Sequence, residues 1–349
     1  MDNQTDGPQF RPTISAVRLK AVLTVLVILV LLQPGCRPAA PRSVSFIDKA
    51  GRFRIRLKPT QAAHSFSEGL AAVSLDKKWG FIDSKGQFVI PPQFGWVGDF
   101  SDGLAVVTST PESDFWNKET LFGFIDKSGL YVLPEEFNWA GSFTEGLAPV
   151  CVGKCRNAEF RQRHAGYIDH LGHYVLPPQF VDADNFAEGL ASVSTTGVLG
   201  SPSHGFIDRA GRFVIAPRFI FASTFSHGLA ATDKGYVDHH GTVVINRQPA
   251  ANQGGDFSQG WAVVQEGDEL VFIDTAGQVK LRPHLQSVGS FSENLAPACR
   301  SNCEPSALGS GQNWGYIDRS GKFVIKPELG YRPEPFKNGL ALVCLGCKG

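Results

Sequence analysis

The sequence predicts an all-β fold of eight tandem repeats, each with three to four short antiparallel strands. Three observations support this: the motif [FYV]-[IV]-D-x-x-G occurs eight times, the motif F-x-x-G-L-A or a close variant also occurs eight times, and 38 Gly, 22 Pro and one Met favour turns over helices. No segment after residue 45 has a convincing helical period. A repeat fold is therefore expected over residues 44–349.

The first motif predicts a β-hairpin. In Lys77 to Phe94, the runs WGFID and GQFVI are rich in β-forming residues, and D-x-x-G between them suits a type I turn. The aspartate is expected to cap backbone N–H groups, and the glycine three residues later to adopt a positive φ. Proline is expected to end the second strand, as at Pro91 and Pro134. The eight aspartates given this structural role are Asp48, Asp83, Asp126, Asp169, Asp208, Asp238, Asp274 and Asp318.

The second motif predicts a further strand, introduced by a phenylalanine that packs inward. The chain opens with an F-I-D hairpin that has no preceding G-L-A strand, and it ends with a G-L-A strand that has no following F-I-D. Pairing these ends would remove two exposed edges and close the repeats into a β-propeller-like ring. The alternative is an open β-solenoid or superhelix with capped end strands.

The N-terminus has the pattern of an export signal. Arg18 and Lys20 precede twelve apolar residues, Ala21 to Leu32, which suit a signal-peptide core but are short for a membrane span of about 20 residues. The LQPGC sequence ending at Cys36 resembles a bacterial lipoprotein signal, in which the cysteine is lipidated after cleavage before it. Ordinary cleavage near Ala40 and an uncleaved anchor are the alternatives. The chain then divides into a signal peptide at 1–36, a tether at 37–43 and a β domain at 44–349.

The other six cysteines form three close pairs: Cys151 with Cys155, Cys299 with Cys303, and Cys344 with Cys347. An even count behind a signal peptide favours disulfide bonds over free thiols. Each bond would close a very short loop, so it should contribute less than the roughly 3 kcal/mol of a 15-residue loop. Metal binding by two pairs and a redox role for the C-terminal pair are the alternatives.

The sequence contains no recognisable catalytic motif, metal site or cofactor site. Its 33 basic and 33 acidic residues argue against a nucleic-acid partner and against a polybasic membrane-binding face. An acid often precedes G-L-A, but the same position holds His227 and Gln259, so a solvated turn is expected there. A carbohydrate-active hydrolase would have to use carboxylates that are not repeated, namely Glu112, Asp114, Glu135 and Glu136.

Two copies of the first motif, KKWGFIDSKGQFVIPPQF and NWGYIDRSGKFVIKPEL, resemble WG repeats, also called KWG repeats. The resemblance covers roughly residues 44–349 and is strongest around Trp79-Gly80 and Trp314-Gly315. Other copies depart from it, and Val44-Ser45 and Leu270-Val271 lose both residues. The family is common in bacterial proteins, often exported ones. It implies a repeat scaffold, with no catalytic motif to carry over.

These features together predict a non-catalytic scaffold of the bacterial cell envelope that binds protein or glycan partners through its variable loops. The protein would be exported, either attached to the membrane by a lipid or signal anchor, or free in the periplasm or outside the cell. No cofactor, metal or nucleic acid is expected. The alternatives are a carbohydrate-active hydrolase acting at a propeller mouth, and a secreted metal or redox protein that uses the cysteine pairs.

Overall fold

The computed structural model describes residues 43–111, 120–153, 164–196, 202–250, 255–303 and 313–345. These residues belong to one compact unit, Pro41–Gly349. They form 28 β-strands in eight antiparallel sheets, four of three strands and four of four, without any helix. The described part accordingly has no helix of the length and apolarity needed to span a membrane. The prediction of an all-β fold made of small antiparallel sheets is confirmed.

Sheets 1 to 4 come from the first half of the chain and from its last strand. Sheet 1 combines β1 (Ser43–Asp48), β2 (Phe53–Arg56) and the last strand, β28 (Leu340–Leu345). Sheet 2 contains β3 (Ala71–Leu75), β4 (Lys78–Ile82) and β5 (Phe88–Phe94). Sheet 3 contains β6 (Trp96–Val97), β7 (Ala105–Thr108), β8 (Phe122–Ile125) and β9 (Tyr131–Phe137). Sheet 4 contains β10 (Trp139–Ala140), β11 (Ala148–Cys151), β12 (Ala165–Ile168) and β13 (Tyr174–Phe180).

Sheets 5 to 8 repeat this arrangement. Sheet 5 contains β14 (Asp182–Ala183), β15 (Ala191–Thr196), β16 (Pro202–Ile207) and β17 (Phe213–Phe219). Sheet 6 contains β18 (Ala230–Thr232), β19 (Gly235–Val237) and β20 (Val243–Ile245). Sheet 7 contains β21 (Trp261–Glu266), β22 (Glu269–Asp274) and β23 (Val279–Leu281). Sheet 8 contains β24 (Ser287–Val288), β25 (Ala296–Cys299), β26 (Trp314–Ile317) and β27 (Phe323–Leu329).

The first and the last described strands meet in sheet 1. β1 and β28 are antiparallel neighbours, and their register runs from Ser43 opposite Leu345 to Asp48 opposite Leu340. The last G-L-A strand, β28, thus pairs with the first F-I-D strand, β1, which has no G-L-A strand before it in the sequence. This is the strand pairing that the ring-like alternative of the sequence analysis required.

Each D-x-x-G turn is held by its aspartate. In all eight copies, Oδ1 accepts hydrogen bonds of 2.8–3.2 Å from the N–H groups two and four residues later. The glycine three residues on has a φ between 76° and 85° in every copy, which side chains with a Cβ rarely adopt. In Asp126 the Ser128 hydroxyl also donates to the carboxylate and is the main cause of its lowered pKa.

Each G-L-A strand starts from a second kind of turn. In sheet 3, Ser101 and Leu104 exchange both backbone hydrogen bonds across the two-residue loop Asp102-Gly103. The φ values of these two residues are 50° and 81°, as a type I′ hairpin turn requires. The other seven copies also have positive φ at both loop positions. This turn folds the short first strand of a sheet back onto its G-L-A strand.

Proline does not end the second strand of the first motif in most copies. β5 continues through Pro91 to Phe94. From Ile90 to Phe94, β5 advances by four residues while the paired part of β4 advances by only two, so the prolines form a bulge. A Cβ on Gly80 would lie 2.5 Å from the Ile90 carbonyl oxygen, so the bulge leaves no room for a side chain there. The expectation that proline ends the strand is therefore wrong here. The glycines that face such a bulge are Gly80, Gly123, Gly166, Gly205 and Gly315.

Aromatic residues fill the space between neighbouring sheets. The aromatic side chain of F-I-D in one sheet contacts the anchor phenylalanine of the next, with ring centroids 4.7–5.0 Å apart. The last pair joins sheet 8 to sheet 1, as the others join sheets that follow each other in the chain. The pairs are Phe46–Phe66, Phe81–Phe100, Phe124–Phe143, Tyr167–Phe186, Phe206–Phe225, Tyr236–Phe257, Phe272–Phe291 and Tyr316–Phe336.

Candidate functional site

A pocket of about 440 Å³ is lined by residues of four sheets. This volume falls in the range of sites that hold small organic ligands. The lining combines apolar, aromatic and charged side chains. Its residues are Ala63, His64, Ser65, Trp96, Gly98, Asp99, Ser142, Glu334, Lys337 and Leu342.

Most of the lining residues lie within two positions of an anchor phenylalanine. Ser65, Asp99 and Ser142 stand one residue before their anchors, and His64 and Glu334 stand two residues before theirs. Each anchor is almost fully buried between two sheets, which fixes the backbone on either side of it. The residues just before the anchors are thereby brought to a common pocket, although they are far apart in the sequence.

The two carboxylates of the pocket have different surroundings. Asp99 lies 3.1 Å from Nδ1 of His64 on the neighbouring sheet, and the His64 ring is tilted by 45° against the Trp79 ring, with centroids 4.8 Å apart. Glu334 is exposed, and its carbonyl oxygen accepts a 2.6 Å hydrogen bond from the Tyr316 hydroxyl. Burial raises the pKa of Tyr316, so this hydroxyl remains a donor at neutral pH. The buried tyrosine therefore fixes the backbone that carries Glu334.

Hydrogen-bonding groups and a flat apolar surface occur together in the pocket. The carboxylates of Asp99 and Glu334 accept hydrogen bonds, whereas Lys337 donates them. Trp96 is half-buried and makes an edge contact with Phe122, with ring centroids 6.0 Å apart. No group of three or more His, Cys, Asp or Glu side chains in the described ranges is placed to hold a metal ion. The arrangement suits a small polar ligand with one apolar face.

The type I′ turns are linked to one another from sheet to sheet. The side chain at the first loop position accepts a hydrogen bond of 2.7–3.1 Å from the second loop residue's N–H in the next sheet. These turns were expected to be solvated, and the linking bond was not foreseen. His227 and Gln259 also supply an acceptor, so the position requires an acceptor and no charge. The seven links are Glu68–Gly103, Asp102–Gly146, Glu145–Gly189, Glu188–Gly228, His227–Gly260, Gln259–Asn294 and Glu293–Gly339.

The family model for the WG containing repeat matches more than half of the chain. The matched segments are 45–79, 79–108, 122–154, 166–197, 205–234, 272–302 and 314–348. The chain belongs to the WG-repeat family. The stretch between residues 234 and 272 falls outside the matched segments, yet it supplies β19 and β20 of sheet 6 and has both turns.

Similarity of this WG-repeat protein to other known proteins is weak. No curated protein matches its sequence. AztD of Citrobacter koseri is 12% identical with a TM-score of 0.45, over 87% of this chain and 98% of AztD. A prolyl endopeptidase is 13% identical with a TM-score of 0.47, over 91% and 56%. TolB of Acinetobacter baumannii is 13% identical with a TM-score of 0.33, over 76% and 69%. Similarities of this size carry no argument about function.

Only part of the predicted cysteine chemistry falls within the described residues. Cys299 and Cys303 form a disulfide bond, with a Cα–Cα distance of 5.8 Å. Cys155 and Cys347 lie outside the described residues, so the other two pairings stay predictions. Cys36, the predicted lipidation site, also lies outside them.

Of the four carboxylates considered for hydrolysis, the two that the structure describes, Glu135 and Glu136, do not line the pocket. Glu112 and Asp114 lie outside the described residues. Glu135 accepts hydrogen bonds from Tyr131 and from Ser109, and Glu136 is exposed on the same outer strand, β9. The residues that do line the pocket were missed because they differ from copy to copy. Their position within two residues of the anchor phenylalanine is the signal that could have located them.

Proposed function

We propose that this WG-repeat protein is a non-catalytic binding scaffold of the cell envelope, and that its pocket binds a glycan of one or two sugar rings. The observation that carries the proposal is the combination of Trp96 with Asp99, Glu334 and Lys337 in one pocket. An aromatic face can cover the apolar side of a sugar ring, while carboxylate and ammonium groups bond to its hydroxyls.

We propose also that the eight sheets form a closed, propeller-like ring. The pairing of β1 with β28 supports this, since it gives the first and last strands a common sheet. The Tyr316–Phe336 contact supports it as well, because it repeats between sheets 8 and 1 the packing found between all other neighbours. A third indication is that Gly51 lies against Ile325 of sheet 8, as Gly86 lies against Ile55 of sheet 1. A ring leaves no sheet face uncovered.

The envelope location is inferred from the sequence before the β domain. The apolar run of Ala21 to Leu32 and the LQPGC sequence ending at Cys36 support export followed by lipid attachment. Mass spectrometry of the mature protein tests this. A lipid-modified Cys36 at the N-terminus is the expected result, and an unmodified Cys36 within an intact chain contradicts it.

Glycan binding is tested by calorimetric titration of the purified protein with chitobiose, cellobiose and maltose. At least one sugar should bind, and Trp96→Ala should weaken that binding about ten-fold, a loss near 1.4 kcal/mol. Trp139→Ala is the matched control, because Trp139 begins the corresponding strand of the next sheet but does not line the pocket. Absence of binding to all three sugars, or equal effects of the two substitutions, would contradict the proposal. Release of sugar products on incubation would instead indicate a hydrolase.

A further inference from the structure

The outer strands of sheets 1 and 7 differ from those that contain a proline bulge. In sheet 1, Ser45 pairs directly with Arg56, and in sheet 7, β23 ends at Leu281. Basic residues occupy the places that Val89 and Pro91 hold in sheet 2: Arg54 and Arg56 in sheet 1, Lys280 and Arg282 in sheet 7. Exposed charges, like prolines, prevent an edge strand from pairing with another chain. Protection of the edge therefore accounts for cations at both sites.

The cations of sheet 7 are neutralised within the sheet. Lys280 lies 3.8 Å from the Asp274 carboxylate. Arg282 forms an ion pair with Glu266 and a second one, of 3.5 Å, with Glu269. This surface therefore has little net charge.

The cations of sheet 1 are not neutralised in the same way. Arg52 and Arg54 share one carboxylate, that of Asp48, at 2.8 Å and 4.0 Å. Arg56 lies over the ring of Phe53 in its own strand, 4.0 Å from the centroid. With Lys58 these residues form an exposed basic strip, defined as Arg52, Arg54, Arg56 and Lys58.

The partner strands of sheet 1 supply little compensating charge to the basic strip. Four cations face one carboxylate, and the β28 sequence LALVCL contains no acid. The outer strand of sheet 8 adds Lys322 just before it and Lys326 within it, against Glu328. The balanced charge of the whole chain, 33 against 33, therefore conceals a local positive surplus.

The basic strip is also close in sequence to the proposed lipid anchor. Ser43, the first residue of β1, is seven positions after Cys36. A fully extended segment of this length spans at most about 25 Å, which brings sheet 1 near any membrane that holds Cys36. Basic clusters beside an anchor are attracted to anionic lipids over about 8 Å in physiological salt.

We infer that the basic strip of sheet 1 lies against the anionic headgroups of the membrane that anchors the protein. The inference rests on the membrane anchor of the proposed function but is independent of glycan binding. Attraction to the lipid surface supplements the anchor and holds sheet 1 towards the membrane.

Vesicle co-sedimentation of the full chain carrying Cys36→Ser tests the inference without a lipid anchor. Binding to vesicles of phosphatidylcholine with phosphatidylglycerol is compared with binding to vesicles of phosphatidylcholine alone. Apolar insertion of the N-terminus contributes to both measurements and therefore cancels in their ratio. Replacing Arg54, Arg56 and Lys58 by Gln should reduce the preference for anionic vesicles about 100-fold, or about five-fold per residue. Arg54→Gln alone should reduce it about five-fold. Added salt should weaken the binding of the unsubstituted strip.

The matched control is the double substitution Lys280→Gln and Arg282→Gln in sheet 7, which should leave the vesicle preference unchanged. A triple variant that still prefers anionic vesicles as strongly as the parent chain would overturn the inference. Tighter binding to heparin than to the vesicles would overturn the lipid assignment in favour of a general polyanion site. Failure of the lipid anchor is detected separately, by mass spectrometry of the mature protein. An unmodified Cys36 there does not alter the result of the vesicle experiment, which uses the Cys36→Ser chain.

Discussion

Sheets 4 and 7 contain the same two turns, but their outer strands take different paths. In sheet 4, β13 bulges at Pro177 over Gly166, where a Cβ would lie 2.5 Å from the Leu176 carbonyl oxygen. In sheet 7, Val271 occupies the place of that glycine and is fully buried, and β23 ends at Leu281, before Pro283. In these two sheets the glycine of the WG motif is present where the outer strand bulges and absent where it does not. Sheet 6 differs from both, because it keeps Gly235 although its outer strand ends at Ile245 without such a bulge.

The tryptophan of the motif follows no such rule. Its place is taken by Trp79 in sheet 2, Ala165 in sheet 4 and Leu270 in sheet 7, and all three are buried. Side chains of very different size are accepted there, and sheet 6 has the exposed Lys234 at the corresponding place, so the position requires neither one shape nor an apolar residue. The conserved physical requirement of the repeat lies in its turns and in its anchor phenylalanine.

Replacing an anchor phenylalanine should have the largest effect, and it should affect sheets 4 and 7 alike. Phe143→Ala and Phe257→Ala each remove a buried ring that packs against an aromatic residue of the preceding sheet. Each should lower the free energy of unfolding by about 3–5 kcal/mol, measured by urea titration. If only the sheet 4 variant is destabilised, the anchor phenylalanine does not have the same packing role in the two sheets.

Adding a methyl group to the WG glycine should separate the two kinds of sheet. Gly166→Ala places a Cβ against backbone atoms that cannot move aside, and should cost about 3 kcal/mol. Ser45→Ala, at the corresponding place in sheet 1, removes a buried hydroxyl that has no hydrogen-bond partner among the described residues, and should be neutral or slightly stabilising. Thermal unfolding of both variants provides the measurement. Equal, small effects would show that the bulge does not require the glycine.

The linking hydrogen bond between turns should contribute a smaller amount. Glu145→Ala removes the acceptor of the Gly189 N–H and should destabilise by about 0.5–1 kcal/mol, because the bond is exposed. Glu145→Gln retains an acceptor, as Gln259 does in sheet 7, and should be close to neutral. Differential scanning calorimetry distinguishes the pair. A glutamine variant as unstable as the alanine variant would show that charge is what matters.

The link between sheets 8 and 1 should give a small dependence on pH. Burial raises the pKa of Glu293, but the Lys49 ammonium and the Gly339 N–H outweigh it, so the pKa lies below its ordinary value of 4.5. The stabilisation is therefore present above pH 4.5 and is lost as pH falls through the lowered pKa.

Glu293→Gln should remove this contribution, which is under about 1 kcal/mol for a partly exposed pair. The urea concentration at the midpoint of unfolding, measured from pH 6.5 down to pH 3, should therefore fall less steeply for Glu293→Gln than for the parent chain. Parallel pH profiles would count against a stabilising Lys49–Glu293 pair.

The sequence predicts much of the fold because its two motifs correspond to two turns with strict backbone needs. Asp83 and Gly86 locate one turn, and Asp102 and Gly103 locate the other. Pro91 misleads because a proline bulge and a strand end have the same sequence signal. The pocket is not predictable by motif, because the residues before the anchor phenylalanine vary freely in type, as with Ser142.

The pairing of β1 with β28 has a consequence for biosynthesis. A ribosome makes β1 among the first strands of the β domain and β28 last, and about 300 residues separate Ser43 from its partner Leu345. Sheet 1 therefore cannot be completed before Leu340–Leu345 has been synthesised, and its formation is a late, long-range step. A stop codon before Leu340 would leave the earlier strands made but the edge of β1 open to association with other chains.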